Sequence, residues 1–447
     1  MSEHLSEIEI ADYVDDPESH PQRAEIESHA AECSECGETL NAARSFDAEM
    51  ANIMVWEFML AAKRRASAVP ASLVAKAQQI DAEAREAAEY LDIIVMSPMR
   101  LKRAAIAAKP AMWTAGVVRL LCEASRRLRE MNPKHALTVA DEAIAVSGRL
   151  SPQRYDEPTR CELRGAGWLE RANALRYLGD FPGALHALDL SQAEYHGTPL
   201  NEWPLAMVDY VRSVIYMVSE RLTEAMQLAR DSAAVFRRYG DETRYVHALL
   251  VTGGCLFQSQ QYMLARDLFR RLLPRARATG EPATVARCLN NLANAEMELG
   301  EFGAASEHLG EAAAGYERLG MRTELLRARW GAAVLAMRMG NIGDGIARLR
   351  KTAGEMLDLG LTNDHARVML DAAQALFAVG ELRELPAICA QLVRVFSEAG
   401  MPENARMALA YLDGAVRAGA VTEPLIHSVK SYIDREDYGS PFIPPPA

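Results

Sequence analysis

His29, Cys33 and Cys36 form the run His29-Ala30-Ala31-Glu32-Cys33-Ser34-Glu35-Cys36, the one place in the chain where the spacing itself carries chemistry. An imidazole four residues ahead of a Cys-x-x-Cys sits on the last turn of a helix, with two thiolates around the turn that follows. Zinc takes four nitrogen or sulfur ligands tetrahedrally, so a distant fourth ligand such as His4 closes the cage. The same dithiol is open to redox chemistry, and oxidation would release the metal.

The elements that position these residues are short. Ile8, Ile10, Ala11, Tyr13 and Val14 give one apolar helical face, Asp15 to Pro21 breaks it, and Ala24, Ile26 and Ala30 mark a second helix ending at the ligands. That is too little core to stand alone, and a structural metal contributing on the order of 10 kcal/mol supplies the missing cohesion. After the cage, Glu49 to Arg65 holds Met50, Ile53, Met54, Trp56, Phe58, Met59 and Leu60 in one helical stretch, an adaptable surface for core or partner alike.

The segment from His4 to about Leu40, HLSEIEIADYVDD, a polar turn and then AEIESHAAECSECGETL, resembles the zinc-binding anti-sigma domain of regulators of extracytoplasmic-function sigma factors. The resemblance covers about the first 65 residues. It implies one structural Zn2+ held by His4, His29, Cys33 and Cys36, and a cytoplasmic, non-catalytic transcription regulator that sequesters a sigma factor. The apolar faces Ile8, Ile10, Tyr13 and Met54, Trp56, Phe58, Met59 exceed what so small a domain buries internally and are the expected sigma-binding surface.

The rest of the chain repeats. Gly240, Gly280, Gly320, Gly360 and Gly400 fall forty residues apart, as do Gly300, Gly340 and Gly380, each of these three followed by a polar residue and then Phe302, Ile342 or Leu382. Further ladders run Ser213, Gly253, Ala293, Ala333, Ala373; Ala225, Ala265, Ala305, Gly345; and Phe236, Ala276, Tyr316, Met356, Phe396. Two glycine sets per period with apolar positions between them describe helix, turn, helix, turn. Small residues let paired helices approach, and the stacked pairs make a solenoid. LNNLANAEMELGEFGAASEHLGEAAAGYERLG (residues 289–320) resembles a tetratricopeptide repeat lengthened to forty residues. Glu220 and Gln260 stand where two units lack the inner glycine, and Leu385 replaces a small residue in another.

The expected fold is therefore all-α: a small zinc-binding helical domain followed by a right-handed α-solenoid of about forty-residue tetratricopeptide-like repeats. The expected organisation is residues 1–66 for the zinc domain, 67–110 for a helical linker or solenoid entry cap, 111–437 for the repeats and 438–447 for a Pro-rich tail. With 447 residues and 49% hydrophobic content, the core can be long. No signal peptide or membrane-length apolar run appears. A net charge of −12 argues against nucleic acid as a direct partner, and the five scattered cysteines read as buried thiols of a reducing compartment.

No Gly-rich phosphate loop, Gly-x-Ser-x-Gly elbow or His-Glu-x-x-His is present. His135, His186, His196, His247, His308, His365 and His427 are spread thinly and read as surface or groove residues, so function is expected from surfaces rather than catalysis. His247, Arg287, Arg327 and Arg367 occupy one position of four successive units, near Asn290, Asn291, Asn294, Trp330, Gln374 and Phe377. Such a stripe suits an acidic peptide of a second protein; the bland reading pairs the arginines with neighbouring acids such as Glu324. The competing class to the sigma regulator is a tetratricopeptide protein-interaction scaffold whose zinc domain is only a structural or dimerising module.

Overall fold

The computed structural model describes residues 22–33, 36, 37, 40, 78–86, 112–129, 132–198, 201–435 and 440–445. Their regular elements are all helices, with α1 at Arg23–Glu32 and a further helical stretch at residues 78–86. Among them no helix is long and apolar enough to cross a membrane. The chain forms two compact units, Met1–Cys255 and Leu256–Ala447.

In the first unit, α2 (Ala115–Leu128), α3 (Pro133–Ser147), α4 (Glu157–Tyr177), α5 (Phe181–His196), α6 (Glu202–Val218) and α7 (Leu222–Tyr239) each pack on the next, and α2 with α4 and α4 with α6 also touch. α8 (Glu242–Gln258) carries the boundary. The second unit holds α9 (Tyr262–Ala278), α10 (Pro282–Glu298), α11 (Phe302–Arg318), α12 (Arg322–Arg338), α13 (Ile342–Asp358), α14 (Thr362–Ala378), α15 (Leu385–Glu398), α16 (Glu403–Arg417) and α17 (Glu423–Arg435). Helix starts at Glu202, Glu242, Pro282, Arg322 and Thr362, and at Leu222, Tyr262, Phe302 and Ile342, keep the forty-residue period without slippage.

The ladders read from sequence are the buried seams. Ser213, Ala293, Ala333 and Ala373 are shut from solvent, as are Ala225, Ala265 and Ala305 in the partner helices and Phe236, Ala276, Tyr316, Met356 and Phe396 behind them. The repeat glycines, from Gly400 at φ 64° to Gly340 at φ 90°, take the left-handed conformation that ends a helix. Glu220 and Gln260 take it too, at φ 59° and 60°, because the turn is imposed by the helices on either side. An L residue is strained there by about 1–2 kcal/mol. Glu220→Gly and Gln260→Gly are each expected to stabilise the chain by about 0.5–1 kcal/mol once glycine's extra chain entropy is subtracted, read as a higher urea midpoint at unchanged slope.

Leu385 shows what a small residue contributes. At the equivalent Gly345, a Cβ would collide with the side chain of Met337. Where leucine stands instead, the α-helix starts late: a 3-10 turn over Leu382–Glu384 precedes α15, whose first turn carries Pro386, a residue with no N–H to donate to the Leu382 carbonyl. At the end of the chain α17 buries Leu425, Ile426, Val429, Tyr432 and Ile433 and packs on α14 as well as α16.

The attachment of residues 78–86 to the first repeat centres on one buried carboxylate. Glu83, 6% exposed, accepts from the Gly116 N–H at 3.1 Å, from the Tyr155 hydroxyl at 2.9 and 3.0 Å, from Arg154 at 2.6 Å and from Gln79 at 3.0 Å. Gly116 is in the first turn of α2, so the acid caps a helix N-terminus whose N–H groups have no partner in the helix. Burial pushes the Glu83 carboxyl up, but these bonds and the Arg154 charge outweigh it and hold it below its ordinary value. Approach is close: a Cβ on Gly116 would strike the backbone of Ala84. Arg119 pairs with Asp81 beside it.

Candidate functional site

The metal-type residues come together as their spacing requires. Buried Ile26 anchors α1, His29 lies in its last turn, and Cys33 leaves the helix in extended conformation while its N–H closes on the His29 carbonyl at 2.8 Å. The Gly37 N–H then donates to the Cys33 carbonyl at 2.9 Å, folding Cys36 back, and a Cβ at Gly37 would lie 2.6 Å from the Ala30 carbonyl oxygen. One ligand atom from each of His29, Cys33 and Cys36 falls within 4.8 Å of the others. Cys36 is buried, and the His29 Nε2 is shut from solvent without a hydrogen-bond partner, the condition of a ligand atom rather than of a solvated imidazole. This group can bind a metal ion. His4 and the sigma-binding candidates Ile8, Ile10, Tyr13, Met54, Trp56, Phe58 and Met59 lie outside the described residues.

The basic stripe divides between the units, His247 on α8 in the first and the three arginines in the second. On α10, Arg287, Asn290, Asn291 and Asn294 are all half-buried. One unit on, Arg327 donates to Asp364 Oδ2 from Nε at 3.1 Å and Nη2 at 2.9 Å, and Arg367 reaches Oδ1 at 3.3 Å. Asp364 is 5% exposed, so two members of the stripe flank one buried carboxylate, and the acid involved is Asp364. Trp330 is committed as well: its Nε1–H donates to Asp371 at 2.6 Å, and Lys430 of α17 pairs with the same carboxylate. Phe377 packs, half-buried, against the apolar cluster that α17 completes, and Gln374 is half-buried on α14.

Two histidines depart from the surface-or-groove expectation. His365 is 1% exposed; its Nδ1 bonds the Ala353 carbonyl at 2.8 Å, and burial lowers its pKa. His308 pairs with Glu296 at 2.7 Å, a carboxyl that burial pushes up. The repeat cysteines 122, 161, 255, 288 and 389 are all buried, and desolvation raises every one of their pKa values, Cys255 to about 11 and Cys288 and Cys389 to about 12.

A second feature had no sequence signal. The first unit contains a cavity of about 430 Å³ walled by α2, α4 and α6, with Tyr195 of α5, Arg244 of α8 and Ile80 of the 78–86 stretch completing it. Glu170 lies on its wall, 3% exposed, bonded by Arg126 at 2.7 Å with Arg129 at 3.7 Å.

No protein-family model matches the chain, and none of the curated proteins does. Among solved structures it is similar to a signal transduction ATPase with numerous domains, carrying a tetratricopeptide repeat sensor, from Pyrococcus horikoshii: TM-score 0.51, 12% identity, 78% of this chain and 55% of that one. This likeness shows the fold, a tetratricopeptide-like helical repeat, and the chain spans about half the length of that protein. Looser likenesses are to a Rap protein complexed with competence and sporulation factor, at TM-score 0.47 and 11% identity over 77% of this chain and 99% of that one, and to aspartyl phosphate phosphatase F from Bacillus subtilis, at 0.42 and 12% over 100% and 99%.

Proposed function

We propose that this chain acts by occupancy: a non-catalytic tetratricopeptide scaffold whose alternate helices hold a segment of a partner protein, with a zinc-stabilised module at residues 29–36. The observation that carries the reading is the cavity, because its walls come from successive alternate helices, α2, α4 and α6, the row a repeat array offers to a ligand. In the second unit, the half-buried Arg287, Asn290, Asn291 and Asn294 on α10 are of the types that hydrogen-bond a peptide backbone. In the Pyrococcus protein the same kind of repeat is described as a sensor.

His29, Cys33 and Cys36 would hold the metal, with His4 as fourth ligand. One imidazole and two thiolates are a donor set for zinc, which when bound supplies cohesion rather than reactivity. One zinc per chain is the expected result of elemental analysis on reduced, chelator-free protein. Cys33→Ser with Cys36→Ser should drop it below a tenth of an equivalent while leaving the repeats folded.

The second reading, sequestration of an extracytoplasmic-function sigma factor, is favoured by the same His-Cys-Cys group. Photo-crosslinking in the native host separates the two. A benzoylphenylalanine at Asn294 or Met207 should trap a partner protein, whereas one at the outward Glu311 should not. Trapping of a sigma factor from Met54 would move the function to the zinc module. Failure to trap anything from the alternate-helix positions removes the scaffold reading.

A further inference from the structure

The cavity in the first unit is specific about what it accepts. A cavity of roughly 150 Å³ already holds a benzene ring, and this one is about 430 Å³. Its body is apolar: Leu163, Ala166 and Leu169 of α4, Met207 of α6, Ile80 and the ring of Trp203. The Trp203 ring is fixed in place. Its Nε1–H donates to Asp241 at 3.2 Å, Phe236 meets it edge-on at 6.3 Å, and the Arg244 guanidinium lies 5.0 Å from its centroid. A rigid aromatic wall loses little entropy when a ligand packs on it.

The charges around the rim cancel. Arg119 pairs with Asp81 and Glu123, Arg126 with Glu170, and Arg244 with Asp241, and Glu162 stands on the same wall. Arg119, Arg126 and Arg244 thus face Glu123, Glu162 and Glu170. A charged group entering would be desolvated without a counter-ion, which is unfavourable, whereas an apolar group gains what it buries.

We propose that this cavity is the anchor pocket of the repeat face, taking one bulky uncharged side chain, aromatic or long aliphatic, from an extended peptide segment of the partner. The proposal rests on the reading of the repeats as a protein-interaction surface and adds the site and the side chain it selects. Because Ile80 forms part of the wall and Glu83 fixes Ile80, occupancy and docking of residues 78–86 support one another.

The test is selection of a displayed random-decapeptide library on the full-length chain. Enriched peptides are expected to share one bulky apolar position. Ala166→Trp and Met207→Trp, which fill the cavity from opposite helices, should each weaken such a peptide at least tenfold with the melting temperature unchanged. A selected peptide carrying benzoylphenylalanine at that position should label residues 157–177 or 202–218 of the unaltered chain, a readout independent of how the variants fold. Labelling confined to residues 282–378, or binding indifferent to both filled variants, overturns the pocket while the interaction reading stands. No enrichment at all overturns the interaction reading, and the pocket with it.

Discussion

Glu83→Ala should release residues 78–86 from the first repeat. The substitution strips the partner from the Gly116 N–H and the Tyr155 hydroxyl and leaves Arg154 without its acid. Orphaning buried donors costs about 1–3 kcal/mol, and breaking a buried charge pair about 3–5 kcal/mol. Arg154 is half exposed and water replaces part of its interaction, so about 2–4 kcal/mol is expected. Hydrogen exchange reads it directly: the amides of 78–86 should lose protection while those of α10 to α14 keep theirs. Tyr155→Phe should cost about 1 kcal/mol, since it removes a single neutral donor. The pH dependence follows from the lowered carboxyl. Its stabilisation is present above the unfolded glutamate value of about 4.3 and is lost as pH falls through the still lower folded value. Unchanged protection of 78–86 in the alanine variant would sink this account of the attachment.

Removing Arg327 and Arg367 together should destabilise the second unit by about 2–4 kcal/mol, because Asp364 would stay buried with neither cation. Arg327→Ala alone should cost only about 1 kcal/mol, its guanidinium being 52% exposed and already screened. Adding Asp364→Asn to the double variant should restore much of the loss, since the charge needing compensation is then gone. Urea unfolding of the full chain measures all three. If the arginines instead serve a partner, the double variant melts normally and Asp364→Asn rescues nothing.

The repeat was legible because its signal is redundant. Alanine, glycine and aromatic positions each recur every forty residues, and each marks a place where two helices approach or part. The His29-Cys33-Cys36 group was legible for a different reason: His29 and Cys33 stand at the very helix end that brings them together with Cys36. What escaped notice depends on pairings far apart in sequence. Glu83 is one of 61 acidic residues, and nothing in its neighbours announces Tyr155, 72 residues on. The arginine ladder was visible as a ladder, and so was the acid position beside it at Glu324; what the sequence did not show is that Asp364, forty residues on, is the carboxylate that both Arg327 and Arg367 reach. The cavity has no sequence signature at all, being a gap between apolar and charged side chains that come from separate helices and share no spacing.

The deep placement of the repeat cysteines has a practical outcome. Alkylation and disulfide exchange proceed through the thiolate, and Cys122, Cys161, Cys255, Cys288 and Cys389 are both inaccessible and hard to ionise at neutral pH. A thiol reagent added to the native chain therefore has only Cys33 and Cys36 to find, and a metal bound there would shield those. The colour that develops on adding a chelator counts metal sites without background, and the slower second wave that follows in denaturant times the opening of the repeats, so one chain carries two clocks read by a single dye.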